Sequence, residues 1–201
     1  MLATMRIVVT GDSVTDCGRR QDPQALGHGY VRLLAEGPLS GQEVRNTGIS
    51  GNRLADLAER WADDVLAAEP GLVSVLIGVN DTWRRYDAGL LSPVDDFERR
   101  YRDLLATLPT ATRVVLLEPF LLPVTEEQQQ WWTEDLAARV EAVRRIAADH
   151  DAVLVPTHQA LTAAAGDLGN AALAADGVHP TAEGHRVIAD LWWHTVAPTL
   201  A

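Results

Sequence analysis

Short apolar runs rich in β-branched residues alternate with longer amphipathic stretches along this chain. The apolar runs lie at residues 6–10, 72–77, 113–117 and 152–155, and a weaker strand at residues 43–46 fits between the first two helical stretches. Stretches with the apolar spacing of helices lie at residues 29–36, 54–68, 94–108, 132–149 and 182–196. Strands and helices that alternate in this way are typical of a parallel sheet covered by helices on both faces. We therefore predict an α/β fold, a three-layer α/β/α sandwich around five parallel strands, in a single domain over residues 1–201.

The composition is that of a globular protein with an acidic surface. Hydrophobic residues make up 47% of the 201 residues and charged residues 22%, a balance that argues against disorder and fibrous sequence. The net charge of −11 repels phosphate backbones and anionic lipids, so we expect neither nucleic acid nor membrane as a partner. The chain turns polar at Thr10, too early for a secretory signal, and no stretch reaches the roughly 20 apolar residues of a membrane span. We predict a cytoplasmic location.

The chain has one cysteine, Cys17, and six histidines. A single cysteine excludes an internal disulfide bond and leaves too few thiolates for a zinc site. Five histidines lack the combination of a loop position and a carboxylate partner, which favours packing or surface roles; they are His28, His150, His158, His185 and His194. We predict no metal and no cofactor.

Four loops of the predicted fold carry small residues and reactive side chains. Residues 11–16, GDSVTD, follow the first strand, and residues 46–52, NTGISGN, follow the second. Residues 78–81, GVND, follow the third strand, and residues 176–180, DGVHP, precede the last helix. Ligands of open parallel sheets bind at the carboxyl ends of the strands, where the connecting loops gather. We therefore expect these loops to form one site.

Ser13, His179 and Asp176 have the residue types of a catalytic triad. A serine hydroxyl becomes a nucleophile when a neighbouring base takes its proton, and imidazole suits this task because it titrates near neutrality. We predict that Pro180 occupies the first position of the last helix and so holds His179 at the mouth of that helix. Asp176 lies three residues before His179 and can reach the imidazole Nδ1 through a tight turn. The alternative for Ser13 is a structural helix cap.

The charged oxygen that forms during acyl transfer needs hydrogen-bond donors. We predict three of them, the backbone N–H groups of Ser13 and Gly48 and the side-chain amide of Asn80. Ser13 is expected to open a helical turn whose N–H groups face the developing charge. The alternatives are structural, since Gly48 also permits a left-handed turn and Asn80 also makes a turn with its own backbone.

The four motifs, in this order, resemble those of the SGNH or GDSL hydrolase superfamily over nearly the whole chain. The letters of that name correspond to Ser13, Gly48, Asn80 and His179, and the resemblance assigns Asp176 as the third triad member. It implies a flavodoxin-like fold, which agrees with the order of strands and helices predicted from the apolar pattern. It also implies an ester hydrolase that needs no cofactor.

Longer segments are similar to intracellular acetyl xylan esterases of this superfamily. They are GDSVTDCGR, GHGYVRLL, GISGNRLADLAERWADDV and GVNDTWRRYD. The resemblance implies a cytosolic enzyme that removes acetyl groups from xylo-oligosaccharides through an acetyl-serine intermediate. It also implies a homo-oligomer.

Four further residues are candidate substrate contacts. Trp83, Arg84 and Tyr86 follow Asn80 closely, and an aromatic face there would pack against a sugar ring, with core packing as the equal alternative. Asp12 is the fourth candidate, with a structural role as a turn cap as its alternative.

Two other functions stay open at this point. The same triad serves a broad short-chain carboxylesterase, thioesterase or lysophospholipase, because it attacks any activated acyl group. The third possibility, of another class, is a carbohydrate-binding protein that keeps the fold without turnover. The partner in all three cases is a small molecule, and in the leading one an acetylated sugar.

Overall fold

A five-stranded parallel sheet forms the centre of the protein. The computed structural model describes residues 4–200, apart from the side chain of Asp167. The strands are β1 (Arg6–Gly11), β2 (Glu43–Asn46), β3 (Leu72–Leu76), β4 (Arg113–Leu117) and β5 (Val153–Val155). They pair in the order β2-β1-β3-β4-β5, and every pair is parallel. This is the flavodoxin-like order, and it confirms the predicted fold class.

The inner strands are mostly apolar because both faces of the sheet are covered. In β1, Ile7 and Val9 belong to the hydrophobic core on one face, whereas Val8 belongs to the core on the other. In β3, Leu72 packs in the first of these cores and Val73 in the second. Alternate side chains of a strand point to opposite faces, so a continuous apolar run supplies both cores.

Helices form the outer two layers. They are α1 (Ser13–Asp16), α2 (Tyr30–Glu36), α3 (Leu54–Asp64), α4 (Val79–Asp87), α5 (Val94–Leu105), α6 (Glu126–Trp131), α7 (Ala137–Asp149), α8 (Thr157–Leu168), α9 (Asn170–Leu173) and α10 (Ala182–Val196). Helices α2, α8 and α10 pack on one face of the sheet, and α3, α5 and α7 pack on the other. None of these helices is both long and apolar enough to cross a bilayer, as far as residues 4–200 are concerned.

The structure differs from the predicted helices at three places. The apolar pattern predicts neither α4 nor α8, because α4 is mostly polar and α8 is rich in alanine. The helix predicted over residues 132–149 begins earlier, since α6 runs through a π-helical turn, Trp132–Leu136, directly into α7. A π-helical turn holds one residue more than a regular turn, and such turns occur often at functional sites.

The order of the strands creates a crevice between β1 and β3. The connection from β1 to its neighbour β2 carries α2, on one face of the sheet, whereas the connection from β3 to β4 carries α5, on the other face. Connections that leave in opposite directions open a gap at the carboxyl ends of the two strands. Ser13 follows β1 and Asn80 follows β3, so both residues lie at this gap.

Candidate active site

Ser13, His179 and Asp176 form a continuous chain of hydrogen bonds. Ser13 Oγ lies 2.9 Å from His179 Nε2, and His179 Nδ1 lies 2.6 Å from Asp176 Oδ2. An ionised carboxylate only accepts hydrogen bonds, so Nδ1 carries the proton of the neutral imidazole and Nε2 is free to accept from the serine hydroxyl. This tautomer is the one that a general base requires.

Ser13 is the first residue of a short helix that begins where β1 ends. Asp12 is the N-cap of α1, and its Oδ1 accepts a hydrogen bond of 3.0 Å from Val14 N. The cap is therefore Asp12 and not Ser13, and the prediction that Ser13 opens a helical turn is confirmed. Ser13 N is the first backbone N–H group of this turn and therefore has no acceptor within the helix.

Asp176 and His179 share one tight turn. Asp176 Oδ1 accepts from the backbone N–H groups of Val178, at 3.0 Å, and His179, at 2.7 Å. Partial burial favours the neutral acid, but the hydrogen bonds from His179 and Val178 favour the carboxylate more, and together they lower the pKa of Asp176. Asp176 therefore stays ionised while an imidazole titrates.

The prediction for Pro180 is wrong. Helix α10 begins at Ala182, and its N-cap is Thr181, whose side chain accepts from Gly184 N. Pro180 precedes the cap, where its fixed φ angle restricts the turn. The position of His179 depends on the Asp176 turn instead.

A cleft of about 330 Å³ opens beside Ser13. Its lining residues are Ser13, Cys17, Ser50, Gly51, Asn80, Trp83, Arg84, His179, Pro180 and His185. The structure thus brings together five of the predicted site residues, and Asp176 lies directly behind His179. Gly48, Tyr86 and Asp12 are not among the lining residues.

The expectation that Gly48 donates to the reacting oxygen is wrong. Its N–H already donates to Asn46 Oδ1 at 2.9 Å, and the residue is buried. An added Cβ at Gly48 would lie 2.5 Å from Asp16 N, so the glycine lets the β2 loop pack against α1. Its role is the close approach of two backbones.

Gly51, three residues later in the same motif, lies in the cleft. Its φ angle is +83°, and an added Cβ would meet no atom within 4 Å. Its N–H has no acceptor within residues 4–200. Sequence reasoning missed this residue because NTGISGN holds two glycines, although the second is the one that lacks a side-chain acceptor two residues before it.

Asn80 lies in the first turn of α4 and is buried at the edge of the cleft. One N–H of its side-chain amide donates to Asn52 O at 3.1 Å. An amide nitrogen has two hydrogens, so the second remains for a ligand in the cleft. The bond to Asn52 fixes the direction in which that hydrogen points.

Helix α4 also decides which of the aromatic candidates reach the cleft. Trp83 and Arg84 lie three and four residues after Asn80 and share its helix face, and the Trp83 ring lies 6.0 Å from the His179 ring. Tyr86 points away, because six residues do not complete a whole number of turns. Its ring stacks on Trp131 at 5.4 Å and its hydroxyl donates to Glu134, so the prediction of a substrate contact at Tyr86 is wrong.

The sequence profile of the GDSL-like lipase/acylhydrolase family matches residues 9–187. The chain belongs to this family. The match confirms the resemblance predicted from the four motifs, and it spans Ser13, Asn80 and His179. The protein is therefore a carboxylic ester hydrolase.

Several relatives are similar over almost their full length. An acetylxylan esterase of Geobacillus stearothermophilus is 38% identical over 199 aligned residues, which cover 92% of this chain and 90% of that protein. A crystal structure of an acetylxylan esterase from the same organism has a TM-score of 0.84 at 34% identity, over 97% of this chain and 95% of that one. An α/β hydrolase enzyme from the metagenome of Lake Arreo has a TM-score of 0.86 at 30% identity, over 98% and 97% of the two chains.

In this GDSL-like protein, Cys17 and His185 form one wall of the cleft, which the sequence did not indicate. His185 Nδ1 accepts from Tyr30 N at 3.2 Å, so its Nε2 carries the proton and faces Cys17 Sγ at 3.3 Å. Burial, helped by the charge on His179, lowers the pKa of His185 to about 4. The spacing of four residues between Ser13 and Cys17 is the signal that could have placed Cys17 here.

Within residues 4–200, no group of three or more potential ligands is arranged to hold a metal.

A buried ion pair supports the helix that carries Asn80. Arg139 in α7 is fully buried, and its Nε lies 2.9 Å from Asp135 Oδ2 and 3.1 Å from Thr82 Oγ1. Thr82 in turn donates to Asp135 Oδ2 at 2.6 Å, and Arg139 also donates to the carbonyl oxygen of Ser92. Thr82 belongs to α4, so this network ties that helix to α7 and to the π-helical turn.

Asp12 lies beneath Ser13 and not in the cleft. Its side chain is almost wholly buried, so the prediction of a substrate contact at Asp12 is wrong, and its alternative as a turn cap is confirmed. Burial raises the pKa of Asp12 to about 7. The carboxyl group therefore couples the stability of this turn to pH.

Replacing Asp12 with asparagine should stabilise the protein relative to the wild type progressively as the pH rises from about 4 to about 7. At lower pH the carboxyl group is protonated in both the folded and the unfolded state, so it does not lower the stability of the wild type. Between the ordinary value of 3.8 and the folded value of about 7, only the unfolded state releases the proton, so the wild type loses stability. Asparagine stays neutral and still caps α1. Urea unfolding at several pH values measures the difference.

The matched control is Asp63→Asn, an exposed carboxylate on α3. Its stability relative to the wild type should stay nearly constant over the same range. A constant difference between Asp12→Asn and the wild type would mean that burial does not retain a proton on Asp12.

Proposed function

We propose that this esterase removes acetyl groups from carbohydrate esters such as acetylated xylo-oligosaccharides, with Ser13, His179 and Asp176 as its catalytic triad. One observation carries the chemistry: Ser13 Oγ lies 2.9 Å from His179 Nε2, and Asp176 Oδ2 lies 2.6 Å from the other ring nitrogen. A cytoplasmic site of action is part of the proposal. The single cysteine is compatible with a reducing compartment.

The first half-reaction transfers the acetyl group to Ser13. As Ser13 Oγ bonds to the ester carbonyl carbon, its proton moves to His179 Nε2, and Asp176 stabilises the imidazolium that forms. The tetrahedral intermediate collapses when the bond to the sugar oxygen breaks, and His179 returns the proton to that oxygen. The deacetylated sugar leaves, and acetyl-serine remains.

The second half-reaction repeats these steps with water. His179 takes a proton from a water molecule as it attacks the acetyl carbon, and then gives the proton to Ser13 Oγ as the bond to serine breaks. Acetate leaves, and the enzyme returns to its initial state. No redox step or bound cofactor enters this sequence.

Three donors would hold the negative oxygen in both half-reactions. They are the backbone N–H groups of Ser13 and Gly51 and the second amide hydrogen of Asn80. Donors of this kind are fixed before the reaction begins, and each one typically contributes about a hundred- to a thousand-fold in rate. Gly51 replaces Gly48 in this role.

Crystal structures of related enzymes support the choice of triad. Catalytic mutants of the acetylxylan esterase from Geobacillus stearothermophilus replace a serine, a histidine and an aspartate with alanine. The aspartate and the histidine are three positions apart in that enzyme, as Asp176 and His179 are here. The whole chain is similar to that protein, not only the motifs.

The choice of an acetylated sugar rests on the relatives and on the cleft. The curated relative is an acetylxylan esterase that matches 92% of this chain. Trp83 lines the cleft beside His179, and the indole of tryptophan suits the apolar face of a sugar ring. The net charge of −11 favours a neutral substrate over a phosphorylated one.

A panel of esters tests the substrate class. We expect kcat/KM for acetate release to be higher with acetylated xylo-oligosaccharides than with aryl acetates, because the sugar adds contacts in the cleft. Aryl octanoates and acyl-CoA thioesters should be poor substrates. Faster turnover of octanoyl or CoA esters than of the sugar esters would instead identify a broad acyl hydrolase. Absence of any turnover, together with no adduct from an organophosphorus ester, would identify a binding protein.

A further inference from the structure

We propose that Gln128 is a positioning residue for the acid–base pair, because its buried amide holds the turn that carries Asp176 and His179. Gln128 lies in α6 and is 8% exposed. Its Nε2 donates to Asp176 O at 2.7 Å, and its Oε1 accepts from Val124 N at 2.9 Å. The two partners have opposite polarity, so the amide has only one orientation that satisfies both.

The acid–base pair needs such support because core packing does not hold its side chains. The side chains of Asp176 and His179 are 51% and 47% exposed. Bonds within the turn fix the two residues relative to each other, as in the bond of 2.7 Å from His179 N to Asp176 Oδ1. These internal bonds do not fix the turn relative to Ser13, which belongs to a different part of the chain.

Contacts from α6 and from the segment that precedes it fix the turn from outside. Leu122 N donates to Gly177 O at 2.8 Å, and Gln128 Nε2 donates to the neighbouring carbonyl oxygen, that of Asp176. Val178 is buried in one hydrophobic cluster with Leu121 and Trp131. Gln128 thus supplies a side-chain hydrogen bond to the backbone of the triad aspartate itself.

Gly177 shows that the turn and the Gln128 amide are fitted to each other. Its φ angle is +84°, and an added Cβ would lie 2.6 Å from Gln128 Oε1 and 2.8 Å from Leu122 O. Any side chain at this position would push the turn away from the amide. The glycine of DGVHP therefore permits the approach that the hydrogen bond to Asp176 requires.

Within residues 4–200, the neighbouring glutamines make no comparable contact. Gln128 begins a run of three glutamines, and Gln129 and Gln130 are both exposed. Gln130 bonds to Glu134 on the surface of the same helix. Gln129 therefore offers a control of the same residue type one position away.

Gln128→Met tests the proposal, because methionine fills a similar volume and makes neither hydrogen bond. We expect kcat for 4-nitrophenyl acetate to fall on the order of 10- to 100-fold, the scale of a small misplacement of reacting groups. KM should change less than twofold, since Gln128 does not line the cleft. Titration with an organophosphorus ester counts the competent sites, so that kcat refers to folded enzyme alone. Gln129→Met should match the wild type.

Gln128→Glu separates the two hydrogen bonds. A carboxylate still accepts from Val124 N but opposes the carbonyl oxygen of Asp176. We expect kcat to fall at least as far as in Gln128→Met. Wild-type kcat in either Gln128 variant, or a loss confined to KM, would overturn the proposal. The inference rests on the proposed triad but not on the sugar substrate, and labelling of Ser13 in the wild type tests the triad separately.

Discussion

Replacing Ser13 with alanine should lower kcat for ester hydrolysis on the order of 10⁶-fold, the effect that loss of a triad nucleophile has in other serine hydrolases. The variant keeps the cleft and the Asp176 turn, but no atom remains to form the acyl-enzyme. Its melting temperature should stay close to that of the wild type, because the hydroxyl is at the surface end of α1 and contributes little to the core. Acetate release and thermal unfolding measure the two effects.

Ser40→Ala is the matched control, since Ser40 is an exposed loop serine remote in sequence from the four motifs. It should retain full activity. An organophosphorus ester should label the wild type and Ser40→Ala on Ser13 and leave Ser13→Ala unlabelled. Activity of Ser13→Ala within about tenfold of the wild type, or a label on another residue, would remove Ser13 from the mechanism.

Replacing Asp135 with alanine should lower the free energy of unfolding by about 3–5 kcal/mol, because it leaves the Arg139 guanidinium buried without its carboxylate. The desolvation of Arg139 has already occurred on folding, and Thr82 and the carbonyl oxygen of Ser92 cannot replace a negative charge. Urea unfolding monitored by tryptophan fluorescence and by circular dichroism measures the loss.

Asp96→Ala provides the comparison at the surface. Asp96 pairs with Arg99 at 2.9 Å, but both side chains are more than half exposed, so the loss should be about 0–1 kcal/mol. Equal losses in the two variants would show that the Arg139 pair is no more important than a surface pair. The loss of unfolding free energy in Asp135→Asn should lie between those of Asp135→Ala and Asp96→Ala, because asparagine retains an acceptor for Arg139 but removes the charge.

Most of the sheet could be predicted from the sequence because β1, β3 and β4 supply side chains to the hydrophobic cores on both faces. Short, mostly apolar runs such as those of β3 and β4 have no other stable place in a small domain, and the amphipathic stretches between them form the crossover connections. Helix α4 could not be predicted in this way. It is short and mostly polar, and what fixes it is the network of Thr82, Asp135 and Arg139, whose members are far apart in the sequence.

The candidate site also has a part that could be predicted from the sequence and a part that could not. The side chains of the proposed triad, such as Ser13 and His179, can be predicted because only a few residue types can act as a nucleophile or as its base. Backbone donors were not, because every residue has an N–H group and only the fold decides which ones are already occupied. The N–H group of Gly48, for example, already donates to Asn46 Oδ1. The prediction for Tyr86 is wrong because the direction of its side chain depends on α4, a helix that the apolar pattern does not predict.

The continuous helical run from Glu126 to Asp149 supports both sides of the cleft. Gln128, near its beginning, contacts the turn with the base, while Asp135 and Arg139, further along, hold the helix with Asn80. A tilt of this run would displace His179 and Asn80, the proposed base and the proposed oxyanion donor, together. We therefore expect the effects of substitutions at Gln128 and at Asp135 on activity to be non-additive, because both residues act through one continuous helical run.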